Sequence, residues 1–242
     1  MTEGDKLPAQ RSSQADVDAF LRRVAAIPPA HAAGARRGRL MFAMDATASR
    51  EPTWDRACRI QGEMFEATSA LGGLDVQLVF YRGFRDCQAS PWVSNAQDLL
   101  RRMTAVHCLA GQTQIGRVLA HAIKQTKVER VNALVFVGDC MEEDIDRLAH
   151  QAGELGLLGV PVFLFHEGAD PVARRAFQTI ARLTGGACCP FDAASAQQLK
   201  DLLSAVAVFA AGGRPALEDF GRRRGGVVGL LSSQITRPQS GT

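Results

Sequence analysis

Short apolar runs alternate with stretches of helical spacing along this 242-residue chain. RLMFAMD (39–45) is nearly continuous in apolar character, the pattern of a strand buried on both faces. LDVQLVFYRG (74–83), VNALVFVGD (131–139), GVPVFLFHEG (159–168) and ACCPF (187–191) repeat that pattern, and FRDCQ (84–88) reads as a short strand folding back on its predecessor. Helical stripes lie between them. Trp54, Ala57, Met64, Phe65 and Thr68 mark one over 54–70, closed by Gly72-Gly73, and Leu99, Leu100 and Met103 mark a second. Ile115, Val118, Leu119, Ala122 and Ile123 define a third over 114–125, and Ile145, Leu148, Ala149, Ala152 and Leu155 a fourth over 142–155. Helices at 172–184 and 195–210 complete the series.

Strands that alternate with helices of this length imply crossover connections. The expected fold class is therefore α/β: a doubly wound, mostly parallel six-stranded sheet with one short antiparallel edge strand and helices on both faces. Residues 1–37 read as an amino-terminal arm. Within it, DVDAFLRRVAAIPP (16–29) carries Val17, Phe20, Leu21 and Val24 at helical spacing before a Pro-Pro stop. The main domain spans 38–211. From 212 to 242 the chain is rich in Gly, Ser, Arg and Pro, which predicts a flexible basic tail.

Composition narrows the function classes. Hydrophobic residues make up 46% of the chain, enough for a sizeable core, and the net charge of +3 asks for no nucleic acid. One Tyr and two Trp leave little surface for stacking bases. Six cysteines lack both CxxC pairing and the spacing of secreted domains, and no apolar run approaches the length of a membrane span. The amino terminus is polar, unlike a signal peptide, so a cytoplasmic location with reduced thiols is expected.

The candidate chemistry sits at three predicted strand ends. DATAS (45–49) sets Asp45, Thr47 and Ser49 two residues apart directly after the first strand, where alternate side chains of an extended segment share a face. HCLAGQTQIG (107–116) places Thr113 at the mouth of a helix, and GDCMEED (138–144) places Asp139 after a central strand. In an open parallel sheet, ligands gather beyond the carboxyl ends of the strands, where the strand order reverses. Two carboxylates and three hydroxyls form an all-oxygen set, suited to Mg²⁺ or Mn²⁺ and less well to Ca²⁺, whereas zinc prefers His or Cys. The alternative is helix capping by Thr47, Ser49, Thr113 and Asp139, with Glu142, Glu143 and Asp144 favouring the dipole of the 142–155 helix.

DATAS resembles the DxSxS motif of the metal-ion-dependent adhesion site in von Willebrand factor type A domains, with Thr47 at the usual first serine. Thr113 and Asp139 match that family's two remaining metal-site positions, and the order agrees across roughly 38–211. CLAGQTQIG, FVGDCMEE and GELGLLGVPVFLFHEG are similar to a bacterial intracellular subgroup. The resemblance implies a Rossmann-like fold in which Thr47 and Ser49 bind metal directly, Thr113 directly or through water, and Asp45 and Asp139 mainly through water. It also implies a protein partner whose Asp or Glu completes the coordination. Neutral hydroxyls would leave the cation electrophilic, with an open position for that carboxylate.

Other readings are weaker. Cys140 near a helix start has no motif to supply a base and reads as an inert thiol. The Cys188-Cys189 pair falls in the last strand. His31, His107, His121, His150 and His166 do not repeat at metal-ligand spacing, and neither GxGxxG after the first strand nor GxxxxGK[ST] is present. The leading expectation is a non-catalytic interaction domain. Its rivals are a metal-dependent phosphohydrolase with Asp45 at the active site, for which the second Asp two residues on is replaced by Thr47, and a scaffold acting through its tail.

Overall fold

The apolar runs become one six-stranded sheet in the computed structural model, which describes residues 19–20, 22–24, 37–68, 73–191 and 196–224. The strands are β1 (Gly38–Asp45), β2 (Leu74–Arg82), β3 (Asp86–Ala89), β4 (Ala133–Gly138), β5 (Val162–Glu167) and β6 (Ala187–Phe191), in the order β3-β2-β1-β4-β5-β6. All neighbours pair in parallel except β2 and β3. Every residue of β1 and β4 is buried, as the absence of polar alternation required.

The helices are α1 (Glu51–Ile60), α2 (Gly62–Thr68), α3 (Ala96–Thr104), α4 (Ile115–Val128), α5 (Ile145–Leu157), α6 (Pro171–Thr184) and α7 (Ala196–Arg224). Alternate residues of β1 divide the core between two faces. Leu40, Phe42 and Met44 join Trp54 of α1, Met64 of α2, Leu99 and Met103 of α3 and the apolar stripe of α7. Met41 and Ala43 join the stripes of α4, α5 and α6, including Ile115, Leu148 and Phe177. In the amino-terminal arm, Phe20 and Val24 are helical and buried, and Phe20 meets Phe163 and Phe165 edge-on. Val17 and Leu21 lie outside the described residues.

Three boundaries differ most from expectation. The predicted 54–70 helix starts earlier and is two helices, because a turn at Gln61 (Met64 N–H to Gln61 O, 3.2 Å) precedes Gly62, a weak helix former. The helix expected over 142–155 begins only at Ile145, since Glu142 and Glu143 are engaged elsewhere. Residues 214–224, expected in the irregular tail, are helical. Gly213 takes φ 66° and ψ −164°, which ends one helical segment and redirects the chain. Pro215 then falls in the opening turn of the next segment, where its missing N–H costs nothing, and Leu217 is buried in the core.

Candidate metal centre

The chain passes from β1 to β2 on one side and later returns to β4 on the other, so the switch in strand order lies between β1 and β4. Asp45 ends β1, and Asp139 follows β4 directly. The Asp45 side chain turns back to accept the Thr47 N–H on Oδ1 at 2.7 Å, which bends the chain out of the strand. A single 3₁₀ turn over Ala48–Arg50 follows, closed by Arg50 N–H to Thr47 O at 2.9 Å. Ser49 is thereby carried across to Asp139, donating from Oγ to Oδ2 at 3.3 Å. The first and third loops meet through this bond.

The Thr113 loop is seated by close backbone contact. At Gly111 an added Cβ would lie 2.1 Å from Gly83 O, so only glycine fits the approach. Gln112 N–H donates to Gly83 O at 3.1 Å, and Leu109 N–H to Ala46 O at 3.0 Å. Thr113 and Glu142 then bond reciprocally: Thr113 N–H to Glu142 Oε2, and Glu142 N–H to Thr113 Oγ1, each at 3.0 Å. The neighbouring Glu143 carboxylate accepts the N–H groups of Ile115 and Gly116. Glu142 and Glu143 thus satisfy the amino end of α4, not of α5, where the sequence had placed them.

Capping does not account for the candidate residues. Thr47 heads the 3₁₀ turn without a side-chain bond to it, and Gln114 rather than Thr113 is the N-cap of α4. Asp144, accepting Arg147 N–H at 2.9 Å, caps α5 in place of Asp139.

What remains is a concentration of acceptors. Asp45 is 1% exposed, and its Oδ2 and the Oδ1 of Asp139 are both buried without a hydrogen-bond partner. One carboxylate oxygen of each lies with the Cys140 sulfur in a group whose members are all within 4.8 Å of one another. Burial, with Asp139 adding to it, raises the Asp45 pKa against the opposing Thr47 hydrogen bonds. Burial and Asp139 push the Cys140 thiol up to about 12, so it is no poised nucleophile. Tyr81, opposite Asp45 in the sheet register, is fully buried, and burial with the Asp45 charge holds its hydroxyl in the neutral form. Orphaned carboxylate oxygens beside hydroxyls are the donor set that a divalent cation satisfies.

Two participants were missed from sequence. Arg50 is buried, with Nη1 3.6 Å from Asp139 Oδ2 and Nη2 bonded to Glu167 at the end of β5. Thr53 Oγ1 donates to the same Glu167 oxygen at 2.6 Å. A basic residue straight after DATAS was the available signal, although nothing in spacing alone shows an arginine turned inward. His166, also at the end of β5, has a ring nitrogen 3.3 Å from Asp139 O, and burial lowers its pKa.

No protein-family model and no curated protein matches the sequence. Solved structures do match the fold. The VWA domain of SpRpn10 aligns with a TM-score of 0.54 at 15% identity, over 69% of this chain and 94% of that one. Proximal thread matrix protein 1 from mussel byssus, in a form with a zinc-occupied MIDAS motif, aligns at 0.56 and 16% identity, over 75% of this chain and 46% of that one. The PilB minor pilin of Streptococcus sanguinis aligns at 0.53 and 9% identity, over 76% and 63%. At such identities the likeness is one of architecture, and the chain has the α/β fold of von Willebrand factor type A domains.

Proposed function

We propose that this protein is a non-catalytic, metal-dependent interaction domain that binds a partner protein's Asp or Glu through a divalent cation at the rim between β1 and β4. The observation that carries the reading is the pair of buried, partnerless oxygens, Asp45 Oδ2 and Asp139 Oδ1, on carboxylates whose nearest oxygens lie within 4.8 Å of each other. Thr47, Ser49 and Thr113 would contribute hydroxyls, while Asp45 and Asp139 contribute charge directly or through water. When bound, the cation supplies an electrophilic centre for an incoming carboxylate. The chain's own groups orient it: the Thr47 N–H holds one Asp45 oxygen, Ser49 holds one Asp139 oxygen, and Glu142 holds the Thr113 hydroxyl.

The oxygen donors favour Mg²⁺ or Mn²⁺, and Cys140 is the group in the cluster that would favour zinc. Cys140→Ser should therefore leave Mg²⁺ binding unchanged within about twofold while weakening zinc more than tenfold, roughly, if sulfur takes part. The mussel protein, similar in fold, offers a precedent in its zinc-occupied MIDAS motif. The rival hydrolase reading lacks a second Asp two residues after Asp45, where Thr47 stands. Among the described residues no helix is long and apolar enough to cross a membrane.

The deciding experiment captures partners from a lysate on immobilised full-length protein, with Mg²⁺ or with EDTA, for the native chain and Asp45→Ala. A partner retained only by the native chain with Mg²⁺ supports the reading. Equal capture in EDTA removes the metal from it, and phosphate-ester turnover lost in Asp45→Asn would replace it with the hydrolase.

A further inference from the structure

Arg50 is 3% exposed, although a long basic side chain ordinarily keeps its head in water. Its backbone N–H is fixed to Thr47 O, so it belongs to the same turn that presents Thr47 and Ser49. Its guanidinium is shared unequally between two carboxylates: Nη2 is in close contact with Glu167, while Nη1 stands 3.6 Å from Asp139 Oδ2. Glu167 is held in turn by Thr53 Oγ1. Ser49 Oγ also approaches Asp139 Oδ2, so both groups of this turn address one oxygen and leave Oδ1 without a partner.

We propose that Arg50 is a tethered counter-cation, a positioning residue that holds Asp139 in place before metal arrives and then weakens the metal's hold by charge repulsion. The proposal rests on the metal reading above and says how that site is regulated. A divalent ion drawn to the free oxygens of Asp45 and Asp139 meets a fixed positive charge on the far oxygen of the same Asp139 carboxylate. The repulsion comes from a guanidinium that is itself buried, so it is only partly screened although the Asp139 side chain stays 26% exposed. Glu167 sets its strength: by drawing the guanidinium toward β5 it keeps Arg50 from pairing fully with Asp139. The ion is then held loosely by the protein alone, and a partner's carboxylate contributes the charge that Arg50 cancels.

Two substitutions should move metal affinity in opposite directions. Mn²⁺ titration calorimetry on the full chain should find Arg50→Met about tenfold tighter than the native protein and Glu167→Gln about fivefold weaker, because Arg50 then turns wholly to Asp139. Arg50→Lys, which keeps the charge, should stay within about threefold of native. A merely structural Arg50 predicts weaker binding in Arg50→Met, so equal or weaker binding there, with native far-UV circular dichroism, overturns the proposal. So does a shift of both variants in the same direction. Should Arg50→Met fail to fold, the double variant Arg50→Met/Glu167→Gln, which leaves neither charge alone, takes its place, and binding there no tighter than in Glu167→Gln overturns the idea. If the native chain shows no Mn²⁺ binding that Asp45→Ala abolishes, the metal reading itself falls, and the Arg50 proposal with it.

Discussion

Asp45 and Asp75 stand at opposite ends of adjacent strands and are treated in opposite ways. Asp75, near the amino end of β2, accepts Arg37 Nε at 2.7 Å and Ser94 Oγ at 2.8 Å on one oxygen, and its side chain keeps a quarter of its surface in water. Asp45, at the carboxyl end of β1, is sealed from solvent, accepts the Thr47 N–H on one oxygen, and has no hydrogen-bond partner on the other. A carboxylate that serves the fold is satisfied or hydrated, whereas one that is desolvated and half-satisfied costs stability. The rim retains such a group although an amide of the same shape would be easier to bury. That is the physical argument for placing Asp45 in the proposed site.

The contrast can be broken by substitution, and the largest effect belongs to metal binding. Asp45→Ala should reduce divalent-ion affinity by about a hundredfold or more in calorimetry, where Asp75→Ala should change it by less than about twofold. Next comes the seat of the second loop. Gly111→Ala would drive a methyl into the Gly83 backbone, so it should cost about 2 kcal/mol in urea unfolding and displace Thr113, weakening metal binding as well. Smaller, and most direct, is the pair of amides in metal-free protein. Asp45→Asn should raise stability by about 1 kcal/mol by relieving the buried charge, and Asp75→Asn should lower it by about 0.5 kcal/mol by weakening an ion pair. Equal signs in that pair would erase the distinction between the two carboxylates.

The smallest expected effect is on pH dependence. Burial, with Lys124 adding to it, lowers the His121 pKa, and a ring nitrogen lies 2.9 Å from Gln77 Oε1. The folded protein holds this imidazole neutral while the unfolded chain protonates it near its ordinary value of about 6.5. Its contribution is therefore present at high pH and lost as pH falls through 6.5, roughly, toward the lower folded value. The urea midpoint should drop between about pH 7.5 and 5.5, and His121→Gln should flatten that slope.

The sheet was legible because each central strand is apolar through its length, and strand ends then located the three oxygen-bearing loops. Local pattern failed where distant groups compete for the same backbone. Glu142 and Glu143 read as the first turn of α5, yet their carboxylates reach the amino end of α4, a pairing across 27 to 29 residues that no window contains. Arg50 was invisible for the same reason, since its partners lie 89 and 117 positions away, as 139 − 50 and 167 − 50. The helix at 214–224 was hidden by composition: Gly213 and Pro215 signal disorder when counted, but one is a bend and the other a helix start.

The two margins of the sheet bear on how this fold can meet other molecules. Among the described residues, β3 is a four-residue strand and β6 carries Pro190, which has no N–H to offer a neighbouring ladder. A visiting strand would find too short a template on one side and a missing donor on the other. Growth by edge-to-edge stacking is discouraged at both margins.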